Sequence, residues 1–231
     1  MIDVAADPEA LAQHAAARVA GLARAADGRF AIGLSGGSTP RRTYQLLTQQ
    51  AMPWERIHWF WGDERFVPPD DKDSNYRMAR EALFDHVPVP PENIHRVPTS
   101  GTPAEAARAY EEELKSYYGA RRLDPARPLF DVQLLGLGTD GHTASLGPGR
   151  LELEERRRWV VEVVGWQPQM RITLTYPALE SSRHTAFLVE GAGKRAILAR
   201  ALAGDRSLPA ARLAPVGELL WLVDRAARGG A

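Results

Sequence analysis

The stretch RFAIGLSGGSTPRRTYQLL, from Arg29 to Leu47, joins a short apolar run to a Gly-rich turn and then to a helix-forming segment. Arg29–Leu34, bounded by Gly28 and Ser35-Gly36-Gly37, has the length and composition of a buried strand. A helix is expected to follow from Pro40 through Leu47. Strand, tight turn and helix in that order open a βαβ unit.

The same alternation extends in both directions. Upstream, residues 8–26 place Leu11, Ala15, Val19 and Leu22 at helical spacing behind Asp7 as N-cap and Pro8 in the first turn. Downstream come a strand at Ile57–Trp61, a polar loop over 66–74 and a helix from Asn75 to Phe84, which Pro88, Pro90 and Pro91 close off. Thr102-Pro103-x-Glu105 combines an N-cap, a first-turn Pro and a capping-box acid for a helix reaching Tyr118. Phe130–Leu135 is the next strand, ending in a Gly-rich loop. Strands follow near 158–164, 171–175 and 184–190, then a helix near 192–203 and a last strand near 219–223. Strands alternating with helices predict an α/β fold with a mainly parallel sheet, in which ligands sit beyond the carboxyl ends of the strands. No repeat or Gly/Ser linker divides the chain, so one domain over 1–231 is expected.

Composition excludes several classes of function. The 231 residues carry 29 basic and 29 acidic side chains, and no basic stripe of the kind that binds nucleic acid stands out. The run Arg156-Arg157-Arg158 follows Glu152, Glu154 and Glu155 and reads as a mixed, solvated face. The absence of cysteine removes disulfides, thiolate nucleophiles and Cys-ligated zinc. No apolar window is long enough to span a bilayer, and Met1-Ile2-Asp3-Val4 does not begin a secretory signal, so a cytoplasmic location is expected.

Three strand-end loops hold the residues with chemistry. In Ser35–Pro40, the glycines, the hydroxyls of Ser38 and Thr39 and a helix start together suit an anion, although a tight βα turn with a capping hydroxyl has the same composition. In Gly62–Val67, Asp63, Glu64 and Arg65 follow the apolar Trp59-Phe60-Trp61; Arg65 suits either a phosphate or an ion pair with a neighbouring acid. In Gly136–Ser145, the series Gly136-x-Gly138-x-x-Gly141 has the spacing of a dinucleotide fingerprint, but Gly147-Pro148-Gly149 breaks the chain six residues later and no long helix opens. That loop instead offers Asp140 and His142, a carboxylate able to orient an imidazole base, although a structural histidine has the same local sequence. The histidines show no His-x-x-x-His or His-Glu-x-x-His spacing, and no Gly-x-Ser-x-Gly elbow occurs.

Taken together, Leu34–Pro40 (LSGGSTP), Asp63–Val67 (DERFV) with Ser74-Asn75-Tyr76, Gly136–Leu146 (GLGTDGHTASL), Arg171–Thr175 (RITLT), Gly191–Lys194, Leu208–Leu213 (LPAARL) and Trp221–Asp224 before Ala226-Ala227 resemble the 6-phosphogluconolactonase family, relatives of the glucosamine-6-phosphate deaminases. The resemblance implies a Rossmann-like three-layer sandwich with a mainly parallel central sheet flanked by helices. It implies hydrolysis of 6-phospho-D-glucono-1,5-lactone to 6-phosphogluconate with no metal or organic cofactor. Gly37, Ser38 and Thr39 are implied to line the phosphate pocket, Arg171 and Lys194 to supply charge to it, Arg65 to reach the substrate, and His142, oriented by Asp140, to act as base. The implied partner is a small sugar-phosphate lactone, with no nucleic acid or membrane, and the chain is expected as a monomer or weak homo-oligomer.

Deaminases tend to read Asp-Gly-His-Ile-Ala-Phe-Asn-Glu in the third loop and Asp-Glu-Tyr in the second. This chain has Thr143-Ala144-Ser145-Leu146 and Arg65 at those places, which favours the lactonase over a deaminase-like isomerase. A non-catalytic sugar-phosphate sensor would keep the first loop and lose the Asp140–His142 pair. The resemblance is imperfect at two places: Gly147 stands where the family commonly has Phe before Pro-Gly, and Trp166-Gln167-Pro168-Gln169-Met170 replaces a Lys-Pro-Pro-rich stretch.

Overall fold

A computed structural model describes residues 1–229. In chain order the elements are β1 (Ile2–Ala5), α1 (Pro8–Ala25), β2 (Phe30–Leu34), α2 (Ser38–Leu47), β3 (Ile57–Trp61), β4 (Asp63–Arg65), α3 (Asn75–Ala82), α4 (Pro103–Tyr118), β5 (Phe130–Gly136), β6 (Val160–Val163), β7 (Arg171–Leu174), α5 (Tyr176–Glu180), β8 (Ser182–Val189), α6 (Arg195–Leu202), α7 (Pro209–Arg212), β9 (Glu218–Asp224) and α8 (Arg225–Arg228). Short 3₁₀ turns join several of them, including Ala192–Lys194, which occupies the start of the helix expected over 192–203.

Six strands form one sheet in the order β1-β9-β8-β5-β2-β3, every neighbouring pair parallel. The α/β expectation therefore holds, with helices flanking a parallel central sheet. β2 and β5 are buried almost throughout, as strands covered on both faces are, and their continuous apolar runs have that origin. Trp59, Phe60 and Trp61 of the edge strand β3 are also fully buried. Tyr110 of α4 finishes that strand: its hydroxyl accepts from the Trp61 N–H at 2.8 Å and donates to the Trp61 carbonyl at 3.0 Å.

The strands near 158–164 and 171–175 depart from the simple alternation. They form β6 and β7, which pair antiparallel with each other and with β4 in a separate three-stranded sheet, order β4-β7-β6. Gly62 is the junction between the sheets, its N–H reaching Leu34 at 2.8 Å and its carbonyl accepting from Leu174 at 2.8 Å.

The strand order has one decisive feature for function. The chain leaves β2 for β3 on one side and later returns to place β5 on the other side of β2. A crevice opens where connections diverge like this, outside the carboxyl ends of the strands. The loop after β2 is Ser35–Gly37, the loop after β3 leads into Asp63–Arg65, and the loop after β5 is Leu137–His142.

Candidate active site

A cavity of about 380 Å³ lies at these strand ends. One wall is the start of α2. Gly37 is its N-cap, with φ 111° and ψ 172°, and no side chain caps the helix. That conformation belongs to glycine. The sequence places Pro40 at or near the first helical position; the helix in fact begins two residues earlier, at Ser38. Gly37, Ser38 and Thr39 all line the cavity, so the uncapped helix end and its first-turn N–H groups border it. Tyr44, nearly two turns into the helix, anchors the loop, its hydroxyl accepting from the Ser35 N–H at 2.9 Å and donating to the Ser35 carbonyl at 2.8 Å. Ser38 has a protein partner as well, donating to Glu190 Oε1 at 2.8 Å.

The lining also carries three cations. Arg65, Arg171 and Lys194 line the cavity together with the carboxylates of Asp63 and Glu190. Arg171 is largely buried, and burial holds its guanidinium below the ordinary arginine range against the opposing pull of Asp63, 3.9 Å away. Burial likewise lowers Lys194, whose ammonium donates to the Leu137 carbonyl at 2.7 Å, while Asp140 opposes the shift. The Nε atoms of Arg65 and Arg171 are buried without a hydrogen-bond partner among the described residues. A buried guanidinium with unused donors is costly, and an anion in the cavity would offset that cost.

Beneath these cations, Glu64 organises the second loop. Its carboxylate accepts from the backbone N–H groups of Arg65, Asn75 and Tyr76, each at 2.7 Å, and from Ser74 Oγ at 3.2 Å. Burial still pushes its carboxyl above the ordinary value. Asp63 reaches across to the third loop instead, accepting from Ser145 Oγ at 2.6 Å.

The third loop carries the Asp140–His142 pair. His142 Nδ1 lies 2.6 Å from Asp140 Oδ1, which also accepts the His142 backbone N–H at 3.0 Å. With Nδ1 donating to the carboxylate, Nε2 keeps its lone pair. Burial pushes the Asp140 carboxyl up, but the His142 N–H and ring outweigh it and hold the group below its ordinary value. The loop can close this tightly because residue 138 has no side chain: a Cβ there would lie 2.0 Å from His142 Nδ1. Ala144, at φ 47°, is the one non-glycine residue with positive φ among those described. Such a conformation costs on the order of 1 kcal/mol or more. Its neighbours hold it there, through Ser145 on Asp63 and the Ser145 N–H on Thr173 Oγ1 at 3.2 Å.

A family model described as glucosamine-6-phosphate isomerases/6-phosphogluconolactonase matches residues 6–221. The chain belongs to that family. It is 46% identical over 205 residues to a 6-phosphogluconolactonase of Nostoc sp., an alignment covering 87% of this chain and 84% of the relative. It is 40% identical over 238 residues to a 6-phosphogluconolactonase of Mycobacterium tuberculosis, covering 97% and 95% of the two chains. Among solved structures, a 6-phosphogluconolactonase from Thermotoga maritima superposes with a TM-score of 0.84 at 31% identity, covering 97% of this chain and 99% of that one.

Within this family fold, Gly37, Ser38, Thr39, Arg65, His142, Arg171 and Lys194 converge on one cavity, and Asp140 stands behind His142. Four participants were given no site role in the sequence reading. Asn75 and Glu190 line the cavity, Ser145 ties the third loop to Asp63, and Trp166 lies against His142, ring centroids 5.1 Å apart. Glu190 ends the apolar run of β8 and could have been flagged as a charged residue at a strand's carboxyl end. Trp166 was marked only as part of a stretch that departs from the family pattern, with no sign that it would meet His142. Among the described residues no group of three or more His, Asp or Glu side chains is arranged to hold a metal ion, and no helix is long and apolar enough to cross a membrane.

Proposed function

We propose that this chain hydrolyses 6-phospho-D-glucono-1,5-lactone to 6-phospho-D-gluconate, the lactone-opening step of the oxidative pentose phosphate pathway. The observation that carries this reading is the Asp140–His142 pair beside a cavity walled by three cations and an uncapped helix end. The phosphate sits at the start of α2, where Gly37, Ser38 and Thr39 offer donors and Arg171 and Lys194 supply charge. Arg65 reaches the substrate from the second loop. His142 Nε2 takes a proton from water as the water oxygen attacks the lactone carbonyl carbon. Collapse of the tetrahedral intermediate breaks the bond to the ring oxygen, which receives the proton back from the imidazolium. Asp140 stabilises that imidazolium. The products are the hydroxy acid and, on its ionisation, one proton.

General acid–base catalysis contributes ~10²–10⁴-fold, and anchoring by the phosphate adds an orientation term. No acid lies between Asp140 and Glu152, which favours lactone opening over a deaminase-type isomerisation. The contributing residues run from the first loop to Lys194, consistent with one domain over 1–231. A cytoplasmic monomer or weak homo-oligomer, without nucleic-acid or membrane partners, completes the proposal. The test follows proton release from freshly generated lactone, corrected for spontaneous hydrolysis. The purified chain accelerates the reaction and His142→Ala abolishes most of the acceleration. A His142→Ala variant with parental kcat would refute the base assignment.

A further inference from the structure

Residues 164–170 form a bent connection between β6 and β7, held at both ends. At one end Arg150, paired with Glu152, donates to the Val164 carbonyl at 2.8 Å. At the other, Gln169 Nε2 donates to Asp73 Oδ2 at 2.8 Å, and the Asp73 carbonyl accepts from Arg65. Between the anchors stands Trp166, and its indole meets two things.

The first is the His142 ring, in an edge-on contact with centroids 5.1 Å apart and planes at 84°. The second is the backbone of Gly147: a Cβ built there would lie 2.5 Å from the indole Cε2 and 2.6 Å from Cζ2. The indole thus occupies the space that a side chain at 147 would fill. The hydrogen bond from Nδ1 to Asp140 fixes one point of the imidazole. The torsion that turns a histidine ring is intrinsically broad, and the Asp140 hydrogen bond and the Gly138 backbone, which lies close to Nδ1 and Cε1, restrain only that side of it. An aromatic wall against the ring removes that freedom.

We infer that Trp166 is a positioning residue for His142, aiming Nε2 into the cavity, and that Gly147 is the position whose missing side chain admits it. The inference rests on the reading of His142 as base. The experiment compares Trp166→Ala, Trp166→Phe, Gly147→Ala and the Gly147→Ala/Trp166→Ala double variant in the full chain, measuring kcat and KM for lactone opening together with melting temperature. Small misplacements of catalytic groups are expensive, so Trp166→Ala is expected to lower kcat about tenfold. KM stays within about twofold of the parent, since the phosphate grip is untouched. Trp166→Phe recovers most of the loss. Gly147→Ala lowers kcat by displacing the indole, and adds nothing once Trp166 is Ala, because contacting residues couple.

The inference is overturned if folded Trp166→Ala keeps its kcat, if the loss falls on KM, or if the two substitutions multiply. Should Trp166→Ala fold poorly, the Phe variant and Gly147→Ala decide it: Phe with near-parental kcat and Gly147→Ala with reduced kcat support it, and an unaffected Gly147→Ala overturns it. An active His142→Ala defeats the reading of the base, whereas an inactive His142→Ala beside an unaffected Trp166→Ala defeats this inference alone.

Discussion

Helices α2 and α4 begin in opposite ways. At α4 the Glu105 N–H reaches Thr102 Oγ1 at 3.3 Å and the Glu105 carboxylate returns to the Thr102 N–H at 2.9 Å, a reciprocal cap. Asp7, Ser74 and Asp224 cap α1, α3 and α8 in simpler form, each accepting one backbone N–H from its own helix. Helix α2 starts on Gly37 with no side-chain cap, and its nearby serine is turned to Glu190. Capping is worth about 1 kcal/mol per helix, so an uncapped start forgoes stability. At α2 the forgone term lies where the cavity is, and the Ser38 and Thr39 N–H groups are left without a capping side chain. Among the helices of eight residues or more, α1, α3 and α4 carry a side-chain cap, whereas α2 and α6, whose N-cap residues Gly37 and Lys194 line the cavity, carry none.

Four variants or conditions probe that contrast. The largest effect belongs to the imidazole that shares the cavity with the open helix end: His142→Ala is expected to lose ~10²–10⁴-fold in kcat with KM and melting temperature nearly unchanged. A loss confined to KM would instead make His142 a binding group. Next, Gly37→Ala forces a side chain onto φ 111°. Strain at such a backbone costs ~1–3 kcal/mol, and the helix start is expected to shift enough to raise KM roughly tenfold. Unchanged KM would mean the phosphate does not sit at α2.

The third probe lies away from the site. His58 is pushed down to about 4 from its ordinary 6.5, by burial first and then by His95 and Arg29. Its neutral form is favoured by folding. Above pH 6.5 both folded and unfolded chains hold it neutral and no penalty exists; below that the unfolded chain takes up the proton first and stability falls until the pH reaches about 4. After discounting for partial exposure, the loss by pH 5 is on the order of 1–2 kcal/mol. Chemical denaturation of parent and His58→Gln across pH 7 to 5 checks it: the variant's decline is shallower, and equal declines would assign the loss elsewhere. The smallest effect comes from the capped helix. Thr102→Ala is expected to cost about 1 kcal/mol, ~2–4 °C in melting temperature, and to leave kcat/KM alone. Loss of activity without loss of stability would break the division between the two helix ends.

The same division governs what could be read from the sequence. Local signals carried α1 and α4, because Asp7-Pro8 and Thr102-Pro103-x-Glu105 act on backbone groups a few residues away. They carried the three loops, whose glycines and polar residues interrupt apolar strands. They missed β1, since Ile2–Ala5 is short, mostly exposed and a strand only through residues beyond 220. They also missed the separate antiparallel sheet. Val160–Val163 and Arg171–Leu174 are as apolar as other strands, and which sheet they join depends on β4, three residues all charged. In the site, a residue could be picked out by its type, but partners such as Ser145 for Asp63 and Trp166 for His142 exist only once distant segments meet.

The pairing of β1 with β9 has a consequence for how the molecule is made. β2, β3, β5 and β8 pair among themselves, so a nascent chain stopped short of Glu218 already contains most of the parallel sheet. Ile2–Ala5 has no strand to join until Glu218–Asp224 emerges, because among the described residues β9 is its only neighbour. At ~5–20 residues per second, β1 waits roughly 10–40 s for its place. The sheet widens from β3 outward as synthesis proceeds, and β1, which precedes all the other strands, is the last to be fitted.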